Sequence, residues 1–363
     1  MRVANAERSA TLLGVKRLFL LALLAACGNS ATPDDGGSDA QVDVATGAKA
    51  NGTVGAWQTL APMPHMRANF CATVVGEFVV VIGGNYPTDG NFTKLDEIDV
   101  ARFHADGSLD AWQVAGHAPS PVTECTAGAN GSTLYVIDGI YDDASKVGRV
   151  FSADLASDGT LPALADVGPL PAGMDAFDDV AFFAAGKMWA TTARLSGSCG
   201  LISGPGTWTE MDFLSEFRGR PQWSYATTNG TTYAYVIGGY SGADAGNVVL
   251  ASGSGAKIDT TGPTGGVSVT DLPQPTTFGM AASADDFVFV IGGRGGIFTG
   301  TPRTEVYSAQ AGAGGALGAW SAQTQLPSPR TNAAAVVAGK FLYVLGGANA
   351  SATDTVFAAQ VRF

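Results

Sequence analysis

The chain has 363 residues, a formal net charge of −12 and only 14% charged residues, with 49 glycines among them. Such an acidic protein lacks the basic surface that binding to nucleic acid or to anionic lipid requires, so we exclude both kinds of partner. The glycine content and the scarcity of helix-favouring runs predict many short strands joined by tight turns.

The first 26 residues have the composition of an export signal. A positively charged segment precedes the apolar run of residues 18–26, which is too short to cross a bilayer as a helix. The sequence Leu-Ala-Ala-Cys at residues 24–27 resembles the lipobox of bacterial lipoproteins. This resemblance implies that Cys27 carries a lipid and becomes the mature N-terminus. The alternative is an ordinary signal peptide that contains a cysteine by chance.

Residues 28–53 are small, polar and acidic, without apolar periodicity, which is typical of a disordered tether. We therefore expect a signal peptide over residues 1–26, the lipidated cysteine and tether over 27–53, and one folded domain over 54–363. Gly28 stands where an aspartate retains some lipoproteins at the inner membrane. The resemblance therefore favours a protein that is exported and anchored in the outer membrane.

Internal repetition is the strongest signal in the folded part. Apolar runs that end in a glycine pair, or in one glycine of it, end at Gly84, Gly139, Gly239, Gly293 and Gly347. These glycines are 55, 100, 54 and 54 residues apart, so the gap of 100 spans two repeats. We expect a degenerate copy around residues 187–193, which makes six units.

Each unit has the pattern of four strands, which we name a to d from the centre outwards. In the last unit, strand a is predicted over residues 333–337, strand b over 341–345 and strand c over 355–361, with no strand d after them. Residues 54–57 have the pattern of a strand d that follows no earlier strand. We expect this N-terminal strand to complete the last blade, which would remove two exposed sheet edges.

The period near 50, the glycine pair after strand b, the Leu-Pro-Ser-Pro-Arg of residues 326–330 and the strand-d tryptophan Trp320 resemble kelch repeats. The resemblance covers residues 54–363. It implies an all-β, six-bladed kelch-like β-propeller with four antiparallel strands per blade, the last closed by the N-terminal strand. Propellers of this kind include the central domain of galactose oxidase, sialic-acid epimerases and protein-binding modules, so the resemblance leaves the activity open.

The b–c loops and the d–a connections should emerge on one face of such a propeller, where loops held by a rigid scaffold commonly bind ligands. Arginines there offer a planar fork of donors to a carboxylate, and aromatic rings stack on sugars. The alternative is that the arginines brace loop carbonyls and that the aromatic rings cap the blades. The candidate ligand-binding residues are Arg67, Glu124, Asp179, Arg220, Arg330, Tyr86, Tyr141, Tyr240 and Phe298.

The sequence assigns no catalytic residue, cofactor or metal. His65 and His117 fall on connections of adjacent blades, but two imidazoles without a third ligand do not define a copper site. Cys71 and Cys125 are one repeat apart and occupy matching positions on adjacent inner strands. A disulfide between them is possible if both side chains face the channel; two buried thiols are the alternative.

These observations predict a monomeric, lipid-anchored envelope protein that binds a protein or glycan partner through its loops, without catalytic activity. It would contact the membrane through the lipid alone. The alternative is a carbohydrate-active enzyme, such as a sugar-acid epimerase or mutarotase, that uses a ring of arginines and carboxylates at the channel mouth. A purely structural envelope component is the third class, and it would have an occluded channel without a pocket.

Overall fold

The computed structural model describes residues 51–88, 91–171, 180–193, 199–204, 208–212, 218–241, 248–297 and 299–362. Within this part of the chain, one short 3-10 segment (Ala144–Lys146) is the single helical element. The remaining regular structure consists of β-strands.

The strands of the first half are β1 (Thr53–Leu60), β2 (Cys71–Val75), β3 (Phe78–Ile82), β4 (Asn85–Thr88), β5 (Asn91–Lys94), β6 (Glu97–Arg102), β7 (Gln113–His117), β8 (Val122–Thr123), β9 (Thr126–Asn130), β10 (Thr133–Ile137), β11 (Ile140–Tyr141), β12 (Arg149–Asp154), β13 (Ala165–Pro169), β14 (Ala181–Ala184) and β15 (Lys187–Ala193). Those of the second half are β16 (Cys199–Gly204), β17 (Thr209–Asp212), β18 (Arg218–Gly219), β19 (Gln222–Thr228), β20 (Thr231–Ile237), β21 (Tyr240–Ser241), β22 (Gly253–Asp259), β23 (Gly262–Val267), β24 (Met280–Ala284), β25 (Phe287–Ile291), β26 (Val306–Gln310), β27 (Ser321–Ala322), β28 (Ala334–Ala338), β29 (Phe341–Leu345) and β30 (Val356–Arg362).

The described residues form six four-stranded antiparallel sheets in a β-propeller arrangement. From the inner strand outwards, the first to sixth sheets are β2-β3-β6-β7, β9-β10-β12-β13, β14-β15-β16-β17, β19-β20-β22-β23, β24-β25-β26-β27 and β28-β29-β30-β1. Three two-stranded sheets, β4-β5, β8-β11 and β18-β21, extend from this body.

Although there are six such sheets, only five propeller blades are recognised, one fewer than the six that the sequence predicts. The third sheet departs most from the repeat. Its b strand, β15, ends at Ala193 without the glycine pair, and residues 172–179, 194–198, 205–207 and 213–217 around it lie outside the described part of the chain. This is the copy that the sequence predicts to be degenerate.

The N-terminal strand closes the sixth sheet, as the sequence predicts. β1 pairs antiparallel with β30, from Thr53 opposite Arg362 to Leu60 opposite Val356. The side chain of Trp57 also reaches the preceding sheet, where its Nε1 donates a hydrogen bond to the Thr324 carbonyl oxygen at 2.9 Å. The outer edge of the last blade is therefore supplied by the beginning of the domain.

The inner strands are apolar on both faces because each sheet packs between two neighbours. In β2, Cys71 and Val75 pack towards the second sheet, whereas Ala72 and Val74 pack towards the sixth. Side chains of a strand alternate between its two faces, so burial of both faces gives a continuous apolar run. The third and fourth sheets contact each other in the same way, with the rings of Phe182 and Tyr225 stacked 4.9 Å apart.

The two ends of the sheets differ, and we name them by their connections. The turn face carries the a–b and c–d turns, at Gly76, Gly107, Gly159 and Gly339. The loop face carries the b–c loops and the d–a connections.

The glycine pairs join neighbouring sheets on the loop face. The second glycine of a pair donates its N–H to a carbonyl of the next d–a connection, as in Gly293 to Arg330 at 2.8 Å. The same bond joins Gly84 to Val122, Gly239 to Thr276 and Gly347 to Arg67, at 2.8 to 2.9 Å. The first glycine has no room for a side chain, since a Cβ on Gly292 would lie 2.5 Å from the Arg330 oxygen.

We expect Gly292→Ala to lower the free energy of unfolding by about 3 kcal/mol or more, because it adds a backbone clash to a positive φ of +60°. Gly76→Ala is the matched control: its φ is +56°, but nothing lies within 4 Å of the added Cβ. This control should cost only about 1–2 kcal/mol. Urea unfolding of both variants measures the difference, and equal costs would mean that the pair does not join the blades.

Candidate functional site

Five residues at the loop-face end of the inner strands form what we call the axial ring. Asn69, Glu124, Arg220, Phe278 and Asn332 all occupy equivalent positions before an inner strand, and all have positive φ, between 53° and 58°. Their backbones are linked from sheet to sheet. The N–H of Glu124 donates to Asn69 O (2.8 Å), Asn69 N–H to Asn332 O (3.1 Å), Asn332 N–H to Phe278 O (3.2 Å) and Phe278 N–H to Arg220 O (3.3 Å). The ring therefore surrounds the axis at the mouth of the propeller.

A buried ion pair joins two members of the axial ring. The Arg220 Nη2 lies 3.3 Å from each carboxylate oxygen of Glu124, and each side chain is only 1% exposed. The pair spans from the second sheet to the fourth. It gives the mouth one carboxylate and one guanidinium that hold each other in place.

A second guanidinium lies against the same part of the ring. The Cζ of Arg294 lies 4.0 Å from the ring centroid of Phe278, and that of Arg220 lies 5.5 Å from it. Burial, and then the positive charge of Arg220, lower the pKa of Arg294. This side of the mouth is therefore cationic and carries an aromatic surface.

The two asparagines of the ring offer hydrogen-bond acceptors. The Asn69 Nδ2 donates to Asn85 Oδ1 at 2.8 Å, which leaves the Asn69 Oδ1 without a hydrogen-bond partner among the described residues. Asn332 Oδ1 is likewise without one in this part of the chain, and both side chains are buried. Buried acceptors without partners are unfavourable, so they are the atoms that a ligand hydroxyl or a water would satisfy.

The predicted ring of arginines is not assembled, because two of its three members donate to loop carbonyls instead. Arg67 is fully buried, forms an ion pair with Asp99 and donates to the Gly83 carbonyl at 3.0 Å. Arg330 donates to Ser328 Oγ (2.6 Å) and to its neighbour's carbonyl, and its Cζ lies 4.9 Å from the ring centroid of Phe357. Both lie two residues before an axial-ring residue, and only Arg220 occupies the ring itself.

The predicted aromatic residues differ in their exposure. Tyr86 in β4 and Tyr240 in β21 are partly exposed on the loop face. The placement predicted for Tyr141, at a loop tip of this face, is corrected by the structure. Its side chain is buried, and its ring contacts that of Phe151 edge-on at a centroid distance of 6.0 Å. The cause is the pairing of β11 with β8, which turns this tyrosine into the core, where burial raises its pKa. Cys27, Asp179 and Phe298 lie outside the described residues.

An open groove of about 500 Å³ lies at the rim of the loop face. It lies between the fifth b–c loop, which joins β25 to β26, and Pro329 of the next connection. The Arg303 Nη1 is held at its edge by the Pro275 carbonyl (2.8 Å) and Thr276 Oγ1 (3.1 Å). The groove is lined by Gly295, Gly300, Thr301, Pro302, Arg303, Thr304, Glu305 and Pro329.

Exposed apolar side chains concentrate on the same face. Of the five large apolar side chains that are exposed in the described part of the chain, Met66, Phe92, Val147 and Val248 lie in loop-face segments. The fifth, Val114, lies on an outer strand. Phe92, which is 59% exposed, belongs to the hairpin β4-β5, and Lys94 at the base of that hairpin pairs with Asp142 of the second sheet at 2.9 Å.

Each of the three histidines contacts a carboxylate, which for His104 is that of Asp110 at 2.8 Å. His65 contacts Glu97 at 3.2 Å and His117 contacts Asp96 at 3.4 Å. Among the described residues, no group of three or more metal-ligating side chains is positioned to hold an ion. No helix in the same residues is long and apolar enough to cross a membrane.

A disulfide joins Cys71 and Cys125, with their Cα atoms 5.5 Å apart. It connects the first and second sheets beside the axial ring, because Cys71 follows Asn69 by two residues and Cys125 directly follows Glu124. Of the two possibilities that the sequence leaves open for these cysteines, the structure contains the bridge. It fixes the backbone on either side of the Asn69 to Glu124 hydrogen bond.

Sequence reasoning missed Asn69, Arg294, Phe278 and Asn332. The signal available was positional: Phe278 and Asn332 are 54 residues apart, one repeat, and Asn69 precedes the first inner strand in the same way. Their unlike chemistry hides this equivalence.

The fold is shared with many solved structures: 511 chains of known structure match this chain. One is the structure of YjhT, with a TM-score of 0.61 and 13% identity, covering 82% of this chain and 96% of that one. At this identity the similarity shows the β-propeller fold alone. No protein-family model and no curated protein matches the chain.

Proposed function

We propose that the chain is an exported, lipid-anchored binding protein whose loop face takes a glycan or protein partner, without catalysis. The observation that carries the proposal is the rim groove on the loop face, the face that also carries most of the exposed large apolar side chains of the described residues. Concave, partly apolar surfaces with a few placed polar groups are the usual ligand sites. The protein is a monomer anchored in the outer membrane through lipid on Cys27.

The scaffold of this proposal is a six-bladed kelch-like propeller that includes the third sheet. Two facts support six blades: the described residues form six four-stranded sheets, and the third packs against the fourth through buried aromatic residues. The recurring glycine pairs, each donating to the next connection, support the kelch-like assignment.

A second candidate is an enzyme that acts on a sugar acid at the axial ring. The presence of Arg220, Arg294 and Glu124 at the same mouth as the acceptors of Asn69 and Asn332 favours it. A guanidinium recognises a carboxylate, and amide oxygens accept sugar hydroxyls. In its present arrangement, however, the Glu124 carboxylate is held by Arg220, so proton transfer would require that pair to open.

A glycan array that includes sugar acids, probed with the full chain in detergent, tests the proposal. We expect Thr301→Trp to reduce binding at least tenfold, because a bulky ring in the rim groove blocks its lining. Ser132→Trp on the turn face is the matched control, since Ser132 is also exposed, and it should bind as wild type does.

The pattern of loss separates the two candidates. Binding that survives Thr301→Trp but is lost in Arg220→Ala would move the ligand to the axial ring, and NMR of anomer exchange would then test for catalysis. If no glycan binds, immobilised envelope proteins are the second probe. Equal binding by wild type and Thr301→Trp to every probe would contradict a role for the groove.

A further inference from the structure

The point where the chain enters the propeller fixes which face can approach the membrane. β1 runs from the turn face to the loop face: Thr53 pairs with Arg362, where strand c ends at the turn face, and Leu60 pairs with Val356, where strand c begins. The preceding residues are held there too. The Asn51 N–H donates to the Arg362 carbonyl at 2.9 Å, and the Gly52 carbonyl accepts from Ser308 Oγ at 2.9 Å.

From this geometry we infer that the turn face is the membrane-proximal face and that the loop face is directed away from the anchoring bilayer. The inference rests on the proposed lipid at Cys27, and it adds the side from which a partner arrives. A partner of the loop face would belong to the space, or to the structure, beyond the propeller rather than to the anchoring membrane.

The length of the tether supports this orientation. A flexible chain with the length of residues 28–50 spans on average roughly 26 Å. A domain of this size is about 50 Å across, so bringing the loop face to the bilayer would require the tether to pass around the side of the propeller. Such stretching costs chain entropy, whereas the turn face is reached directly.

The distribution of apolar side chains defines the competing arrangement. Met66, Phe92, Val147 and Val248 lie on the loop face, and no other large apolar side chain of the described residues is exposed except Val114 on an outer strand. If these side chains entered lipid, the propeller would be inverted. The acidic charge of the chain gives no electrostatic attraction to anionic lipid that would favour this inversion.

Energy transfer from dyes at the turn-face end and at the loop-face end of one blade tests the orientation. In a Cys199→Ser background of the lipidated full chain, Ser132→Cys places a dye on the turn face of the second sheet, and Val147→Cys places one on its loop face; both positions are exposed. The protein is reconstituted into phosphatidylcholine vesicles that contain an acceptor-labelled lipid. Strand β10 alone separates the two levels by about 17 Å, so we expect at least about twofold stronger transfer from position 132.

The outcomes separate the orientation from the anchor. Vesicle-bound protein with equal or stronger transfer from position 147 overturns the orientation while leaving the anchor in place. Protein that does not associate with vesicles overturns the anchor, and the orientation falls with it. Glu77→Cys, in the a–b turn of the first sheet, and Phe92→Cys, in the b–c hairpin β4-β5, form a second exposed pair, which repeats the measurement if the first pair perturbs folding.

Discussion

Replacing Asp99 with asparagine is expected to lower the free energy of unfolding by about 3–5 kcal/mol, the cost of leaving a buried charge without its partner. Asp99 is 1% exposed and is paired with Arg67, which is fully buried. Arginine keeps its charge in proteins, so the guanidinium would remain buried and uncompensated. The same arginine holds the Gly83 carbonyl, so we also expect the first b–c loop to lose protection from hydrogen exchange.

The matched control is Asp166→Asn in the second sheet. Asp166 also pairs with an arginine, Arg149, through a hydrogen bond of 2.9 Å, but its side chain is 40% exposed. Exposed pairs contribute about 0–1 kcal/mol, so this variant should unfold almost as wild type does. Urea unfolding of both variants gives the comparison, and a loss below about 1 kcal/mol for Asp99→Asn would show that the buried pair does not hold the connection.

Removing the disulfide in a Cys71→Ala/Cys125→Ala variant is expected to lower the free energy of unfolding by about 4 kcal/mol, from the chain entropy released when a loop of this length is opened. The bond spans 54 residues and lies beside the axial ring. We therefore expect the variant to bind any axial-ring ligand more weakly as well. Thermal unfolding with and without reductant measures the effect on stability.

Reductant provides the internal control for this prediction. It should lower the unfolding temperature of the wild-type protein and leave that of the double variant unchanged. Cys199→Ser should behave as wild type under both conditions, because the bridge uses the other two cysteines. If reductant lowered the unfolding temperature of the double variant equally, the stabilisation would come from a different bond.

The propeller was accessible to sequence reasoning because its determinants repeat. A glycine pair with positive φ is needed wherever one sheet hydrogen-bonds to the next connection, so it recurs with the period of the blades. Strands that are buried on both faces give continuous apolar runs, which can be recognised without knowing which strands they pair with. The third sheet keeps the apolar inner strand but lacks the glycine pair after its b strand, so its copy carries the weaker repeat signal.

The candidate site was less accessible because it depends on backbone conformation. Membership of the axial ring is decided by a positive φ before the inner strands of five sheets, and residues as different as Asn69, Arg220 and Phe278 adopt it. Asparagine favours that conformation, but arginine and phenylalanine do so only under tertiary constraint. The roles of Arg67 and Arg330 were equally hidden. Both lie two residues before a ring position and donate to a loop carbonyl, whereas Arg220 occupies the ring position itself.

The course of β1 also decides how the propeller would carry mechanical load. A pull between the proposed membrane anchor and a partner held on the loop face would act parallel to this strand, which runs from Thr53 to Leu60. The bonds of an antiparallel ladder run perpendicular to the strands, so such a pull shears the β1–β30 ladder as a whole instead of opening it one bond at a time. At the end where the force would enter, the Val54 N–H donates to Gln323 Oε1 and the Val54 carbonyl accepts from Thr324 Oγ1, which adds resistance. The β1–β30 pairing that closes the propeller is therefore oriented to resist extraction of β1.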